Sequence, residues 1–141
     1  MKNVLIIGGS GQLGRTVLTT FKTKSPKWNT FNIDFSDNKE ATDNYKIDNT
    51  WKTNESTIPN IHKKFKITKY DCIVSVAGGW QMEALDSARF IISTDEMMNM
   101  SFYSSLLAAH LASLHLNNNA PLVLTGAFGI YSQNNPSNKL Y

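Results

Sequence analysis

The chain has 141 residues, of which 41% are hydrophobic and 18% are charged, a composition typical of one globular domain. No run approaches the 18 apolar residues that a membrane-spanning helix needs, and the apolar run at residues 4–7 is too short for a signal peptide. Cys72 is the one cysteine, which excludes an intrachain disulfide and a cysteine-built zinc site. We therefore expect a cytoplasmic protein in a reducing compartment, with no membrane partner.

The net charge of +3 is unevenly distributed along the chain. Residues 1–70 carry +6 and residues 71–141 carry −3. The lysines of the basic half are scattered among Asn, Thr and Asp, so they indicate a solvated surface and no nucleic-acid partner. The three histidines, at positions 62, 110 and 115, show no metal-ligand spacing. We expect them at helix surfaces or a dimer contact, and we expect no metal site.

The hydrophobic pattern alternates between strand and helix along the chain. Apolar or alternating runs predict strands at residues 4–7, 28–35, 70–77 and 122–125, with a short additional strand near 45–47. Helical spacing predicts helices over residues 14–24, 58–68 and 102–116, with helix in part of 81–100. The polar residues 130–141 predict a loop. This alternation indicates an α/β fold, a Rossmann-like doubly wound parallel sheet in one domain spanning residues 1–141.

A glycine-rich loop follows the first predicted strand and opens the first predicted helix. Gly9, Gly11 and Gly14 match the G-x-G-x-x-G fingerprint of dinucleotide-binding folds, whereas Gly8, Gly11 and Gly14 match the wider spacing of short-chain dehydrogenase/reductases. Both registers stay open, and in either the glycines allow a tight turn and a close approach of the backbone to a pyrophosphate. Free N–H groups at the helix N-terminus would bind the phosphates. The predicted phosphate-binding residues are Gly8, Gly11, Gln12, Leu13 and Gly14.

Asp34 lies 20 residues after Gly14, at the end of the second predicted strand. A carboxylate at this point accepts hydrogen bonds from the adenosine ribose diol of a bound dinucleotide. The same carboxylate repels a 2′-phosphate, so the sequence favours NADH over NADPH. Arg15, beside the loop, softens that preference and leaves NADPH as a second candidate.

Residues 75–80 read Ser-Val-Ala-Gly-Gly-Trp and end the fourth predicted strand. Short-chain dehydrogenases carry an Asn-Ala-Gly element at this point, where it lines the cofactor cleft. The Val-Ala-Gly-Gly-Trp variant resembles that of the quinoid dihydropteridine reductases, a family of that superfamily. Residues 110–116 and 122–127 resemble the same family, so the resemblance covers essentially the whole chain, with residues 77–80 its most specific part.

The resemblance implies an N-terminal portion of such a reductase and an enzyme that reduces quinonoid dihydropteridine with NADH. The product is the tetrahydropteridine, and this is the reaction that regenerates tetrahydrobiopterin. It further implies that Ala77, Gly78 and Gly79 pass close to the cofactor and that Trp80 flanks the pterin ring of the substrate. Family members pair as homodimers through helices that include residues 102–116, so the resemblance implies a homodimer here as well.

The family's catalytic acid is the Tyr of a Tyr-x-x-x-Lys motif, about a dozen residues beyond a Gly-Ala pair that Gly126 and Ala127 match. Tyr141 lies at about that distance, and the resemblance implies that it is the acid, whereas Tyr131 has Asn in place of the Lys. The Lys that should follow Tyr141 is not in the sequence, and a phenol with a pKa of about 10 is a poor acid without a nearby cation. We therefore expect a sheet truncated at its C-terminal side and little activity from these residues alone.

Two alternatives remain open. A different short-chain reductase would share the cofactor loop without needing Trp80. A non-catalytic NAD(P)-sensing module would bind the dinucleotide without turnover. Many short-chain dehydrogenases also place a catalytic Asn on the helix that holds Met100 here, and Asn99 lies one residue away, so the pattern departs from a full catalytic tetrad.

Overall fold

The computed structural model describes residues 1–24, 27–66 and 69–126. Strands and helices alternate along this part of the chain, as the hydrophobic pattern predicts. The strands are β1 (Lys2–Ile7), β2 (Trp28–Asp34), β3 (Asp43–Lys46), β4 (Cys72–Ser75) and β5 (Leu122–Leu124). The helices are α1 (Gln12–Thr23), α2 (Thr57–Phe65), α3 (Phe90–Met97) and α4 (Ser104–His115). The interpretations of Ala127, Tyr131 and Tyr141 fall outside the described residues.

All five strands are parallel and lie in the order β3-β2-β1-β4-β5. The chain moves outward from β1 in one direction to β2 and β3, then crosses over to β4 and β5 on the other side. The point at which this order reverses lies between β1 and β4, and ligands of open α/β sheets bind beyond the strand ends at such a point. The topology therefore places a candidate cleft just after Ile7 and Ser75, which lie side by side in the sheet.

Strand β1 is the centre of the core, because its side chains are buried on both faces of the sheet. Leu5 and Ile7 pack in a cluster with residues of α2 and α4, including Ile61 and Leu111. The alternate residues of β1 pack on the opposite face with Leu18 of α1. Each such aliphatic side chain stabilises the fold by about 1.5–3 kcal/mol through burial. Helices cover both faces, which confirms the doubly wound arrangement.

Strand β5 lies at one edge of this sheet and is short. Its three residues, Leu122, Val123 and Leu124, remain 36–46% exposed although they are aliphatic. Aliphatic residues of a parallel sheet are ordinarily covered on both faces. The exposed edge is consistent with the prediction that the sheet is incomplete on its C-terminal side.

The predicted helix over residues 102–116 differs from the observed one at its beginning. A π-helical segment, Met98–Tyr103, joins α3 to α4 in one continuous helical run. Inside this run, the Ser104 hydroxyl donates to the carbonyl oxygens of Met100 and Ser101 at 2.7 and 3.1 Å. Serine hydroxyls that bond to the helix backbone in this way often bend a helix. A π-helical turn contains more residues than an α-helical turn. No Gly or Pro marks this segment, so the sequence pattern did not predict the wider turn.

Two of the three histidines contact each other across two helices. His62 of α2 and His115 of α4 meet through their Nε2 atoms, with the rings edge to face. His110 is exposed on α4, as expected for a helix surface, and the lysines of α2 are exposed as well.

In the part of the chain that the structure describes, no helix is long and apolar enough to span a bilayer.

Candidate functional site

A cleft of about 220 Å³ opens at the carboxyl ends of β1 and β4. It lies where the topology places a ligand site, between the glycine loop, the end of β2 and the segment after β4. The cleft is lined by five of the residues predicted from the sequence, which come from three separate parts of the chain. These are Gly8, Gly11, Asp34, Ala77 and Gly78.

Gly8 and Gly14 are required because the protein's own backbone leaves no room for a side chain at either position. Gly8 has φ +88°, a conformation that favours glycine, and a β-carbon there would lie 2.5 Å from the backbone nitrogen of Ala77. A β-carbon on Gly14 would overlap the carbonyl oxygen of Gly8, so the start of α1 packs directly on the end of β1. Gly11 differs, because its nearest neighbour would be 3.6 Å from an added β-carbon. Its open side faces the cleft and suits a ligand.

The N–H groups of Gly8 and Gly11 already have acceptors, whereas the three N–H groups that follow are available to a ligand. The Gly8 N–H donates to the Ile33 carbonyl at 2.9 Å, and the Gly11 N–H donates to the Gly8 carbonyl at 3.3 Å. Within the described residues, the next three N–H groups have no acceptor, and the first turn of α1 carries no acidic side chain. Those three groups belong to Gln12, Leu13 and Gly14. Unpaired donors at a helix N-terminus, with no competing carboxylate, fit a pyrophosphate.

Asp34 is half-buried at the end of β2, and its carboxylate is fixed by two backbone donors. One oxygen accepts from the Ser10 N–H at 2.8 Å, and the other accepts from the Phe35 N–H at 2.7 Å. Each oxygen keeps a further lone pair for a ribose hydroxyl. The Arg15 side chain donates to the Ser10 carbonyl at 2.8 Å, so the guanidinium lies against the same loop. The arrangement fits a ribose diol beside Asp34.

Apolar side chains that the sequence pattern did not single out form one wall of the cleft. Ile47 is buried just after β3, and Trp51 is half-buried in the loop before α2. Phe35 is exposed and lines the cleft as well, and buried Leu107 of α4 is a further lining residue. A mostly apolar lining next to the Asp34 carboxylate suits a ring such as adenine.

Three asparagines under the glycine loop were also missed. Asn32 of β2 is fully buried, and its side-chain oxygen accepts the Gly9 N–H at 3.0 Å. Asn38 donates from its side chain to the Gly9 carbonyl at 2.7 Å. Asn44 of β3 links the two, since its side-chain oxygen accepts from the Asn32 amide and from the Asn38 backbone. Asparagine is common in this chain, so spacing alone gave no signal for them.

The segment after β4 closes the other side of the cleft. The Ala77 N–H donates to the carbonyl oxygen of Ile7 at 3.1 Å, which holds Ala77 against the glycine loop. Gly79 packs on Met100, whose sulfur would lie 2.5 Å from an added β-carbon. Trp80 is 63% exposed and lines a neighbouring groove rather than the cleft itself. The structure thus brings Ala77 and Gly78, but not the Trp80 ring, into the lining of the cleft.

Asn99 lies in the wall of the cleft, although the sequence pattern left its role in doubt. It belongs to the π-helical segment, and such segments occur frequently at functional sites. Its side-chain NH₂ donates to Asp95 at 3.3 Å, whereas its buried side-chain oxygen has no partner within the described residues. An unpaired buried acceptor in a cleft is suited to a ligand N–H or O–H.

No family model matches the chain. The chain is 39% identical over 128 residues to a dihydropteridine reductase from Dictyostelium discoideum. The match covers 89% of this chain and 53% of the relative, so the chain spans about half the length of the curated relative that it matches.

Solved structures of other proteins have the same fold. A short chain dehydrogenase family protein from Francisella tularensis matches with a TM-score of 0.73 and 22% identity, over 99% of this chain and 57% of that chain. A 4-hydroxyisoleucine dehydrogenase solved with NADH and succinate matches with a TM-score of 0.60 and 15% identity, over 78% and 50%. The predicted Rossmann-like fold is confirmed, and the shares covered are consistent with a partial domain.

Proposed function

We propose that the chain, which is 39% identical to a dihydropteridine reductase, binds NADH and serves in the reduction of a quinonoid dihydropterin. The 39% identity carries the choice of substrate class. The free N–H groups of residues 12–14, beside the Asp34 carboxylate, support the choice of cofactor. The product would be the tetrahydropterin, so the reaction would regenerate a tetrahydrobiopterin-type cofactor.

The proposed cofactor position follows the contacts of the cleft. The pyrophosphate lies on the open side of Gly11 and accepts from the N–H groups that follow it. Asp34 accepts from the adenosine ribose hydroxyls, and Trp51 packs on the adenine ring. A carboxylate at this place disfavours a 2′-phosphate, so NADH is preferred, while Arg15 leaves a weaker affinity for NADPH.

The proposed chemistry needs little from the protein beyond position and a proton. NADH supplies the hydride. Ala77 and Gly78 leave room for the nicotinamide beside β4, because neither carries a long side chain. Trp80, which lines the groove next to the cleft, is proposed to lie against the pterin ring. Tyr141 is proposed to hold the proton that the substrate receives.

Turnover of a quinonoid dihydropterin, generated by oxidation of a tetrahydropterin, tests the proposal through the loss of NADH absorbance. The assay is run on the natural protein, whose intact mass is measured first, and on residues 1–141. We expect turnover by a longer natural protein and little by residues 1–141. Equal activity in the two would overturn the role that we give to a Lys after Tyr141.

A Trp80→Ala variant separates the candidate functions, with Leu85→Ala as the control. Leu85 is 85% exposed on the same segment, so its truncation removes an apolar side chain of similar exposure. We expect Trp80→Ala to raise the KM for the pterin about tenfold and Leu85→Ala to leave it unchanged. Intact pterin turnover in Trp80→Ala would favour a different short-chain reductase. NADH binding without turnover of any pterin would favour a sensing module.

Pairing into a homodimer is part of the proposal. The helical run from α3 to α4 exposes several large apolar side chains, which pairing of two copies would cover. Those residues are Ile91, Ile92, Phe102, Leu106 and Leu114. Sedimentation velocity should give a dimer, and Phe102→Glu should give a monomer. A monomer before any substitution would contradict the pairing.

A further inference from the structure

We infer that Asn32 and Asn38 are positioning residues, which hold the peptide groups of Gly9 so that the glycine loop is ready to receive a pyrophosphate. The inference rests on the proposed dinucleotide binding. Asn32 accepts the N–H on one side of Gly9, and Asn38 donates to the carbonyl on the other. Gly9 is thereby held from both sides by side chains that come from outside the loop.

The burial of Asn32 shows how closely the loop depends on it. Its side chain is 0% exposed in the middle of β2, where an apolar side chain would need no partners. Its NH₂ group donates to the Ser10 hydroxyl at 3.1 Å and to the side-chain oxygen of Asn44 at 2.9 Å. Both polar atoms of the Asn32 side chain therefore have hydrogen-bond partners. A β-carbon on Gly9 would overlap the side-chain oxygen of Asn32. The glycine and the asparagine therefore fit one another.

Asn38 completes the support from the loop after β2. Its side-chain oxygen accepts the Glu40 N–H at 2.9 Å, and its NH₂ group reaches the Gly9 carbonyl. Asn44 holds the backbone of Asn38 through two bonds, of 2.9 and 3.1 Å. The network reaches Gly9 and Ser10 of the loop, and none of its three asparagines lines the cleft, so its effect on a ligand is indirect.

The consequence concerns which N–H groups remain for a ligand. Because Asn32 satisfies the Gly9 N–H and Asp34 satisfies the Ser10 N–H, the loop turns so that only residues 12–14 present free donors. A loop fixed in this way before binding does not lose conformational entropy when the phosphates arrive, and such preorganisation raises affinity. The network should therefore matter for ligands that contain a pyrophosphate and not for a nucleoside.

The test compares Asn38→Ala with Asn29→Ala by NMR titration of the chain. Asn29 lies near the start of β2, far from the loop, and its side chain donates to Asn3 at 3.0 Å, so it is a matched control. Each variant is titrated with ADP-ribose, which has a pyrophosphate, and with adenosine, which has none. We expect Asn38→Ala to bind ADP-ribose about tenfold more weakly and adenosine within twofold of the unmodified chain. Asn29→Ala should bind both ligands normally.

The outcomes separate this inference from the proposed function. If the unmodified chain binds no ADP-ribose, the proposed function fails and the inference with it. If the unmodified chain binds and Asn38→Ala binds equally well, the inference alone is overturned. Equal losses for ADP-ribose and adenosine would also overturn it, because they would show a general loss of structure.

A measurement on the unmodified chain serves if Asn38→Ala does not fold. Hydrogen exchange of the Gly9 amide should be slow without ligand and should change little when ADP-ribose binds. The amide signals of Gln12 and Leu13 should shift on binding. A Gly9 amide that becomes protected only with ligand would contradict a loop held in advance.

Discussion

Gly14 packs so closely on Gly8 that a β-carbon on Gly14 would overlap the Gly8 carbonyl oxygen. This contact fixes the beginning of α1 against the end of β1. It also decides which glycines serve the fold. Gly8 and Gly14 are confined by their own chain, whereas Gly11 faces open space.

Substitution of the two helix-side glycines should therefore separate stability from binding. Gly14→Ala should lower the free energy of unfolding by about 1–3 kcal/mol, the range for an overpacked site. Gly11→Ala should change stability by less than about 0.5 kcal/mol, as for a surface position, yet weaken NADH binding at least tenfold, because the methyl group occupies the pyrophosphate's space. Urea unfolding and NADH titration measure the two quantities. Normal NADH binding by Gly11→Ala would contradict the cofactor position.

Asp34→Asn should change the preference between the two nicotinamide cofactors. The substitution removes the negative charge that faces a 2′-phosphate, so the ratio of NADPH to NADH affinity should rise about tenfold or more. Affinity for NADH should fall, because the amide NH₂ is no longer an acceptor. Asp37→Asn is the control, since Asp37 is exposed three residues further on. An unchanged ratio in Asp34→Asn would exclude Asp34 as the ribose ligand.

The contact between His62 and His115 should contribute to the packing of α2 on α4. A double-mutant cycle with alanine at both positions should give a coupling free energy of about 1 kcal/mol, as for a hydrogen-bonded pair. His110→Ala is the control, because His110 is exposed on the same helix as His115. Additive losses at positions 62 and 115 would show that the rings do not interact in solution.

Tyr70 should make stability depend on alkaline pH. Burial raises the pKa of its phenol well above the ordinary value of about 10. The unfolded chain therefore releases this proton from about pH 10, whereas the folded chain keeps it. The stabilisation is complete below pH 10 and falls by up to about 1.4 kcal/mol for each further pH unit.

The measurement is urea unfolding of the chain and of Tyr70→Phe between pH 7 and pH 11. The two curves of stability against pH should run parallel below pH 10 and diverge above it, with Tyr70→Phe losing less. Parallel curves over the whole range would mean that another group causes the alkaline loss. Cys72, whose thiol pKa is also raised by burial, is present in both proteins and does not affect the comparison.

The sequence predicted the parts of the molecule whose physics is local. The aliphatic run of β1 requires burial on both faces, and the glycines after it require a tight turn, so strand, loop and helix could be placed together. Asp34 was found because its distance from Gly14 is set by one helix and one strand. These features depend on spacing along the chain, which a sequence displays directly.

The parts that were missed depend on contacts between distant residues. Asn32 of β2 bonds to Gly9 in the loop after the neighbouring strand β1, and no local sequence pattern predicts this pairing. His62 and His115, which contact each other, are 53 positions apart in the sequence. The π-helical segment that carries Asn99 into the cleft wall changes the helix register without any Gly or Pro to mark it. Such contacts follow from the fold and not from a local pattern.

Calorimetric titration of the 141-residue chain with NADH tests the central claim most directly. A single site with a dissociation constant in the micromolar range, weakened at least tenfold in Gly11→Ala and unchanged in Asp37→Asn, is the result that the cleft geometry predicts. No heat of binding at millimolar NADH, from a chain whose circular dichroism shows the folded state, would contradict the claim that this cleft holds a dinucleotide.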